Sequence, residues 1–526
     1  MKRLFRQAVV FAALLAGGFV PAARAQNLDQ IGVTALRAIT TNLNGSGIRV
    51  GQPEAYNGDN GSTNAWEVNP ANVEQPVALF TYTSGLGTST SYTNSVGTWS
   101  SHADAVGNNF YGLPNGVATN VAHVDNYDAD YFYNNIIAAA FPPNIGDSVV
   151  NQSVTFGSQT VTVQQQLDSQ YDNYAVQNKT LFVSAVDNGG NVHAPGTSYN
   201  CIGVAAYGGA SSTGPTLDNG RCKPDITAPP WGTSFSTPLV SGAAAVLMQA
   251  ALRGDGGGDT NSAFDMRTVK ALLLNGAVKP ADWTNSSSSP LDARYGAGMV
   301  NLLNAYEQLA GGKQPYVVST SVASGGAHPP TGATGTVAVL NGWDFNTNSS
   351  GPTTDSVKHY YFNATNGAAG AAFTLAATLV WNRHQNKTSI NNLNLFLYNC
   401  ANSNLVLCST SLADNVEHVY TNNLAPGRYD LQAWKAGGTT VTTNEAYALA
   451  WAFVSPALQI AKAGTNAAVS WPVYPAGFLV EATTNLAAPV WSTNNLPAAM
   501  LTGSTNILSP LMTNALQFFR LRQPDF

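Results

Sequence analysis

Between residues 31 and 311 short β-branched runs alternate with stretches whose apolar residues recur at helical spacing. That alternation predicts an α/β layer architecture with a largely parallel sheet. Residues 182–186, Phe-Val-Ser-Ala-Val, read as one buried strand. Residues 238–252 are apolar on nearly every side and rich in Ala and Gly, which predicts a helix buried at the domain centre. A further helix is predicted over 266–274, with Asp265 as its N-cap. After Lys313 the helical period stops. Phe373, Leu375, Ala377, Leu379 and Trp381 alternate with their neighbours, as do Leu393, Leu395 and Leu397, so each run offers one apolar face to a β-sandwich core. Pro426 and Gly427 mark a turn before Tyr429, Leu431 and Ala433. A second break near Ser455 opens a last stretch that contains Trp471, Trp491, Phe518 and Phe519 and reads as a small β module.

These breaks divide the chain into residues 1–25, 26–315, 316–455 and 456–526. Because the β modules carry apolar faces of their own, the first large domain is expected to fold alone when the chain is cut near 315.

The N-terminal segment changes the picture of where the chain works. Lys2, Arg3 and Arg6 precede an apolar stretch over 8–20 that ends in Ala23, Arg24 and Ala25, the pattern of an export signal cleaved after Ala25. Its apolar core is too short to span a bilayer, and no run of about 18 apolar residues follows it, so no membrane span is expected in the mature chain. A secreted, periplasmic or cell-surface bacterial protein is the expectation. The charged fraction is 10% and the formal net charge −6, which leaves no basic patch for nucleic acid. Four cysteines in an exported chain suggest disulfides, paired by proximity as Cys201 with Cys222 and Cys400 with Cys408, although four cysteines allow three connectivities. No Cys or His spacing suggests a metal site, and no cofactor is expected.

The sharpest chemical signal is Gly232, Thr233, Ser234, Phe235, Ser236, Thr237, Pro238, opening the apolar helix. A serine at such a helix start is held at the domain surface beside backbone N–H groups that can meet an oxyanion. Pro238 is expected in the first turn, where its missing donor is not needed. Upstream stand Lys223, Pro224, Asp225, Ile226, Thr227, Ala228 and Pro229. This segment resembles the nucleophile motif of the subtilisin-like serine peptidases, Gly-Thr-Ser followed four residues after the Ser by Pro. The resemblance implies Ser234 as nucleophile. It also implies His102 as general base, since Val106, Gly107 and then Gly116, Val117, Ala118 follow it. An imidazole, whose ordinary pKa is about 6.5, can take the serine proton and return it to the leaving amine.

Residues 181–189 resemble the strand and turn that end in the family's oxyanion asparagine, here Asn188, with Asp187 where the family usually has Gly. Gly47, Ile48, Arg49 and Val50 resemble the strand leading to the catalytic Asp, yet Glu54 occupies that place and no Asp-Ser/Thr-Gly appears. A glutamate can orient an imidazole as aspartate does. Asp59 is the alternative acid. Val149, Val150, Asn151, Gln152 and Ser153 resemble the edge strand that pairs with substrate backbone, and 295–301 the segment that closes the catalytic domain.

The resemblance therefore implies a subtilisin-like α/β parallel-sheet catalytic domain followed by two β-sandwich modules, acting on protein or peptide substrates as a serine endopeptidase. The competing reading is a catalytically dead binding or adhesive protein on the same fold, for which the absent Asp speaks. An esterase with the same triad is a third, unsupported by any Gly-x-Ser-x-Gly elbow. The link between Pro230 and Gly232 is shorter than the family usually carries, and only about 20 residues separate Ala25 from the first strand, no room for the usual folding pro-segment. The stretch 316–455 resembles the β-sandwich often found after bacterial peptidase domains. Its Asp414 and Glu417 could bind calcium, but two carboxylates fall short of the six to eight oxygens that ion takes, so both are expected as solvated loop charges. Oligomeric state is left open.

Overall fold

A computed structural model describes residues 27–522 apart from 58, 60–63, 91–96, 366–371, 439–440, 456, 476–477, 495, 503–504 and 512–515. The export signal lies outside the described residues. In chain order the first ten strands are β1 (Arg49–Glu54), β2 (Ala65–Glu67), β3 (Phe80–Thr83), β4 (Ser89–Thr90), β5 (Thr98–Trp99), β6 (His123–Asp128), β7 (Val149–Gln152), β8 (Leu181–Ala185), β9 (Ile202–Ala206) and β10 (Ile226–Ala228). Eight of them form one sheet in the order β10-β9-β8-β7-β1-β6-β3-β4, parallel except for the β3–β4 hairpin. The strands of its middle are buried on both faces, as parallel strands between helical layers must be.

The helices that position the site are α1 (Val33–Ile39), α2 (Ser101–Phe110), α3 (Val161–Asn178), α4 (Thr233–Arg253), α5 (Thr260–Phe264), α6 (Met266–Asn275) and α7 (Leu302–Ala310). Helix α4 is buried along nearly its whole length. It is the one described helix apolar and long enough to cross a membrane, and its burial against the sheet marks it as the centre of the core. Asp265 caps α6, its carboxylate accepting the Arg267 N–H at 2.9 Å.

Beyond α7 come β11 (Val318–Ala323), β12 (Asn341–Ser349), β13 (Thr354–Ala364), β14 (Phe373–Trp381), β15 (Leu393–Asn399), β16 (Leu405–Ser409), β17 (Val416–Leu424), β18 (Gly427–Lys435) and β19 (Asn444–Val454). They form two antiparallel sheets, β11-β13-β18-β15-β16 and β12-β19-β14-β17. Leu375, Ala377, Leu379 and Trp381 of β14 and Leu449, Trp451 and Phe453 of β19 face the sandwich core. The last stretch holds β20 (Gln459–Ala463), β21 (Asn466–Pro472), β22 (Leu479–Thr483), β23 (Met500–Thr502), β24 (Thr505–Leu508) and β25 (Phe518–Arg522), around a small core of Val469, Trp471, Val480 and Leu508.

The sandwich is not a separate bead. The second face of β14 and β19 is buried as well: Val380, Ala448 and Ala450, with Val416 of β17, belong to the core of the α/β domain, and so does Trp343 of β12, whose indole N–H donates to the Leu309 carbonyl at 3.1 Å. Helix α6 packs directly on β14 and β19. Arg383 pairs with Asp172 of α3 at 2.6 Å and exchanges backbone hydrogen bonds with the Asn200 side chain at 2.9 and 3.0 Å. Arg221 and Arg383 lie over the ring of buried Tyr199 at 4.1 and 4.8 Å, and Arg221 also pairs with Asp168 at 2.8 Å. The boundary expected near 315 is crossed by this shared core.

The cysteine pairing is corrected too, since all four are free thiols. Cys408 sits opposite Phe396, four residues before Cys400. Along an extended strand that offset is about 13 Å, well beyond the ~7 Å between Cα atoms that a disulfide allows. Cys201 faces Lys223 instead of Cys222, with Sγ 3.8 Å from the ammonium nitrogen. Burial pushes the Cys201 thiol up to about 12. Asp414 and Glu417 are buried instead of solvated. Asp414 accepts the Cys222 N–H at 2.7 Å, tying the sandwich to the α/β domain, and Glu417 accepts from Ser409.

One ion at this junction gives a test. Lys279 is buried with no acid paired to it among the described residues; its ammonium meets the Ala297 carbonyl at 2.5 Å and lies 5.0 and 5.2 Å from the rings of Trp283 and Tyr420. Burial lowers its pKa to about 7 from 10.5, and neighbouring His418 is held well below its ordinary value by burial and then by Lys279. Below about pH 7 the folded protein carries the whole cost of the buried charge. Between about 7 and 10.5 the unfolded chain binds the extra proton, so stability rises with pH. The melting-temperature gap between Lys279→Met and wild type is expected to shift in favour of wild type from pH 7 to pH 10. A gap independent of pH would refute this.

Candidate active site

The site lies at the carboxyl ends of the parallel strands, where open α/β sheets bind ligands. Glu54 ends β1, and its side chain is wholly buried. Its Oε2 lies 2.9 Å from His102 Nδ1. Its Oε1 accepts from Gln52 Nε2 at 2.9 Å, and Gln52 also donates to the Ala103 carbonyl at 3.0 Å and accepts from Tyr111 Oη. Gln52 thus fastens the carboxylate to the helix that carries the histidine. It was not singled out from the sequence, although a polar residue two positions before Glu54, on the same face of a buried strand, is the signal for it.

His102 is the second residue of α2, which Ser100 caps through the Ala103 N–H at 3.3 Å. Asp59 accepts the Ser101 N–H and bonds Asn57, so it braces the helix start and does not reach the imidazole. His102 Nε2 is buried without a hydrogen-bond partner. Its ring lies 5.9 Å from that of Phe235.

Helix α4 begins at Thr233, earlier than expected, which places Pro238 past the first turn. A helical Pro leaves the carbonyl four residues before it without a donor. That carbonyl belongs to Ser234, and the Ser153 hydroxyl fills the vacancy at 2.8 Å. The Ser234 hydroxyl donates to the Ser153 carbonyl at 3.4 Å, and no Ser234–His102 hydrogen bond is formed. Asn188 follows β8, and its Oδ1 accepts the Thr233 N–H at 2.9 Å and the Thr233 hydroxyl at 3.0 Å. Its Nδ2 is therefore turned away from Thr233, buried and unpartnered.

The expected substrate edge is corrected. β7 is an interior strand between β8 and β1, with Asn151 and Gln152 paired to Val183 and Ser184. The side chains of Asn151, Gln152 and Ser153 are fully buried. Asn151 accepts from Ser241 at 2.9 Å and Gln152 donates to Tyr171 at 2.9 Å, so these two side chains support α4 and α3, while Ser153 lies just past the end of the strand. The upstream motif is structural as well. Burial alone would raise the Asp225 carboxyl, but Lys223 at 2.5 Å and Lys270 at 3.0 Å outweigh it and hold it below its ordinary range.

A parallel sheet that gathers a carboxylate-held histidine, a helix-leading serine and an asparagine at its carboxyl edge has the layout of a subtilisin-like α/β domain. Residues 93–298 match the model of the Subtilase family, Peptidase S8, so this part of the chain is similar to that family's peptidase domain. The matched stretch contains His102, Asn188 and Ser234 and begins after Glu54. No curated protein matches the chain. Among solved structures it is similar to the prenylagaramide maturation protease PagA, at 20% identity and a TM-score of 0.36 over 54% of this chain and 99% of that one. It is also similar to a serine protease of Aeromonas sobria, at 14% identity and a TM-score of 0.34 over 92% and 89%, and to the PatG macrocyclase in complex with peptide, at 16% and 0.35 over 54% and 97%.

Proposed function

We propose that the chain is an exported serine endopeptidase that hydrolyses peptide bonds through Ser234, His102 and Glu54. The observation that carries this reading is the buried Glu54 carboxylate 2.9 Å from His102 Nδ1, which holds Nε2 unprotonated and open to a proton. Ser234 Oγ attacks the scissile carbonyl carbon while its proton passes to His102 Nε2. The oxyanion so formed takes hydrogen bonds from Asn188 Nδ2 and the Ser234 N–H, contacts that strengthen as charge develops. Collapse of the intermediate breaks the C–N bond, and the leaving amine receives the proton from His102. Water then repeats the sequence on the acyl-enzyme. Glu54 holds the ring in place and stabilises the imidazolium that forms.

Residues 1–25 would direct the chain out of the cytoplasm and be removed after Ala25. A binding protein on the same fold is the competing reading, favoured by the Ser234 hydroxyl resting on the Ser153 carbonyl. That contact is long at 3.4 Å, and catalytic hydrogen bonds are commonly loose before substrate binds.

Wild-type protein is expected to react with a serine-directed phosphonate and to digest casein, and Ser234→Ala to do neither. Wild type that takes no label and cleaves nothing would establish the binding reading.

A further inference from the structure

Asp187 stands at φ 89°, in the left-handed region that side chains disfavour and glycine adopts freely. Its carboxylate gathers three donors there. Oδ1 accepts the Asn188 backbone N–H at 2.7 Å, and Oδ2 accepts the Thr155 hydroxyl at 3.1 Å and lies 2.7 Å from His193 Nδ1. Burial would raise this carboxyl, but His193 and the Asn188 amide outweigh it and hold it below its ordinary range. The His193 N–H returns to the Val186 carbonyl at 3.2 Å and closes the turn, while the Asp187 carbonyl accepts the Ser212 N–H at 2.8 Å. Thr155 lies two residues past Ser153, whose hydroxyl holds the Ser234 carbonyl.

We infer that Asp187, tied to His193 and Thr155, is a positioning residue that fixes Asn188 against Ser234. The backbone of Asn188 is held by Asp187 and its side-chain oxygen by Thr233, so Nδ2 has one direction left to point. A glycine at 187 would serve the backbone with less strain but could tie the turn to neither Thr155 nor His193. The inference rests on the oxyanion role proposed for Asn188.

Asp187→Asn and Asp187→Gly both suit a left-handed backbone, so each is expected to fold, with the strain relieved offsetting part of the hydrogen bonds lost and the melting temperature falling modestly. The asparagine offers one neutral acceptor oxygen in place of a carboxylate that serves three donors. In both variants kcat is expected to fall roughly 10- to 100-fold, less than the 10²–10³ lost when an oxyanion donor is removed outright, with KM unchanged within about twofold. A purely structural Asp187 would leave kcat alone, and wild-type kcat in either variant would overturn the inference.

A readout independent of turnover separates this result from the peptidase reading. Hydrogen exchange at the Asn188 backbone amide is expected to accelerate at least about tenfold in both variants, with loss of the His193 Nδ1–H resonance. If wild type takes no phosphonate, the peptidase reading falls, while accelerated exchange still upholds the clamp and unchanged exchange overturns it.

Discussion

Replacing Glu54 by glutamine is expected to lower turnover by about four orders of magnitude while the fold stays intact. The carboxylate is wholly buried and each oxygen has one assigned donor, Gln52 Nε2 on Oε1 and His102 Nδ1 on Oε2. A glutamine in this place can keep only one of the two as acceptor contacts. If its oxygen stays with Gln52, its amide N–H meets His102 Nδ1 and the imidazole takes the other tautomer, with the proton on Nε2. The group that should accept the Ser234 proton is then already protonated. If the amide turns over, two N–H donors meet across the Gln52 contact and the buried pair is lost. Glu54→Asp keeps the charge on a shorter arm and is expected to do less harm. Asp59→Asn is expected to change turnover little, because Asp59 braces the Ser101 N–H and not the imidazole. Rates on a peptide substrate, with circular dichroism of each variant, check all three. Full activity in Glu54→Gln would remove Glu54 from the mechanism.

The parts of this site legible in the sequence are those set by local backbone chemistry. Ser234 announces itself because a Gly-Thr-Ser start, a Pro four residues on and a long apolar helix occur together. Glu54 could be placed because a strand pattern leads to it, although the usual acid is absent. The substrate edge and the disulfides were misread for one reason: both depend on which strands lie side by side, and alternation within a strand does not give sheet order or register. β7 has the pattern of any buried strand, and only its neighbours β8 and β1 show that it lies inside the sheet. Asp187 escaped notice as chemistry because the sequence shows only a non-glycine in a turn. Its three donors come from segments up to 32 residues away. The docked face of the sandwich did leave a trace. Ala376, Val380, Ala448 and Ala450 occupy the alternate positions where a solvated face would carry polar residues, and small apolar side chains there signal a second buried face.

That second face makes the chain cut after residue 315 the most informative truncation. Residues 26–315 retain the described strands and helices of the catalytic domain, and the cut removes Trp343, Val380, Val416, Ala448 and Ala450 from its core. A tryptophan buries on the order of 200 Å², which at about 25 cal/mol per Å² is at most about 5 kcal/mol for Trp343 alone. Asp172 would lose Arg383, its ion-pair partner at 2.6 Å. The Cys222 N–H would lose Asp414, and Asn275 would lose the Thr378 hydroxyl that donates to it at 2.9 Å. Against a total folding stability of roughly 5–15 kcal/mol, these losses are comparable with the whole margin. The fragment is therefore expected to be insoluble, or to lack a cooperative thermal transition and leave Ser234 unlabelled by the phosphonate. Co-expression with residues 316–526 is expected to restore labelling, because the missing faces would be supplied in trans. A soluble fragment that melts cooperatively within a few degrees of the full chain would show that the polar and apolar contacts across α6 contribute little, and that the catalytic domain closes its own core.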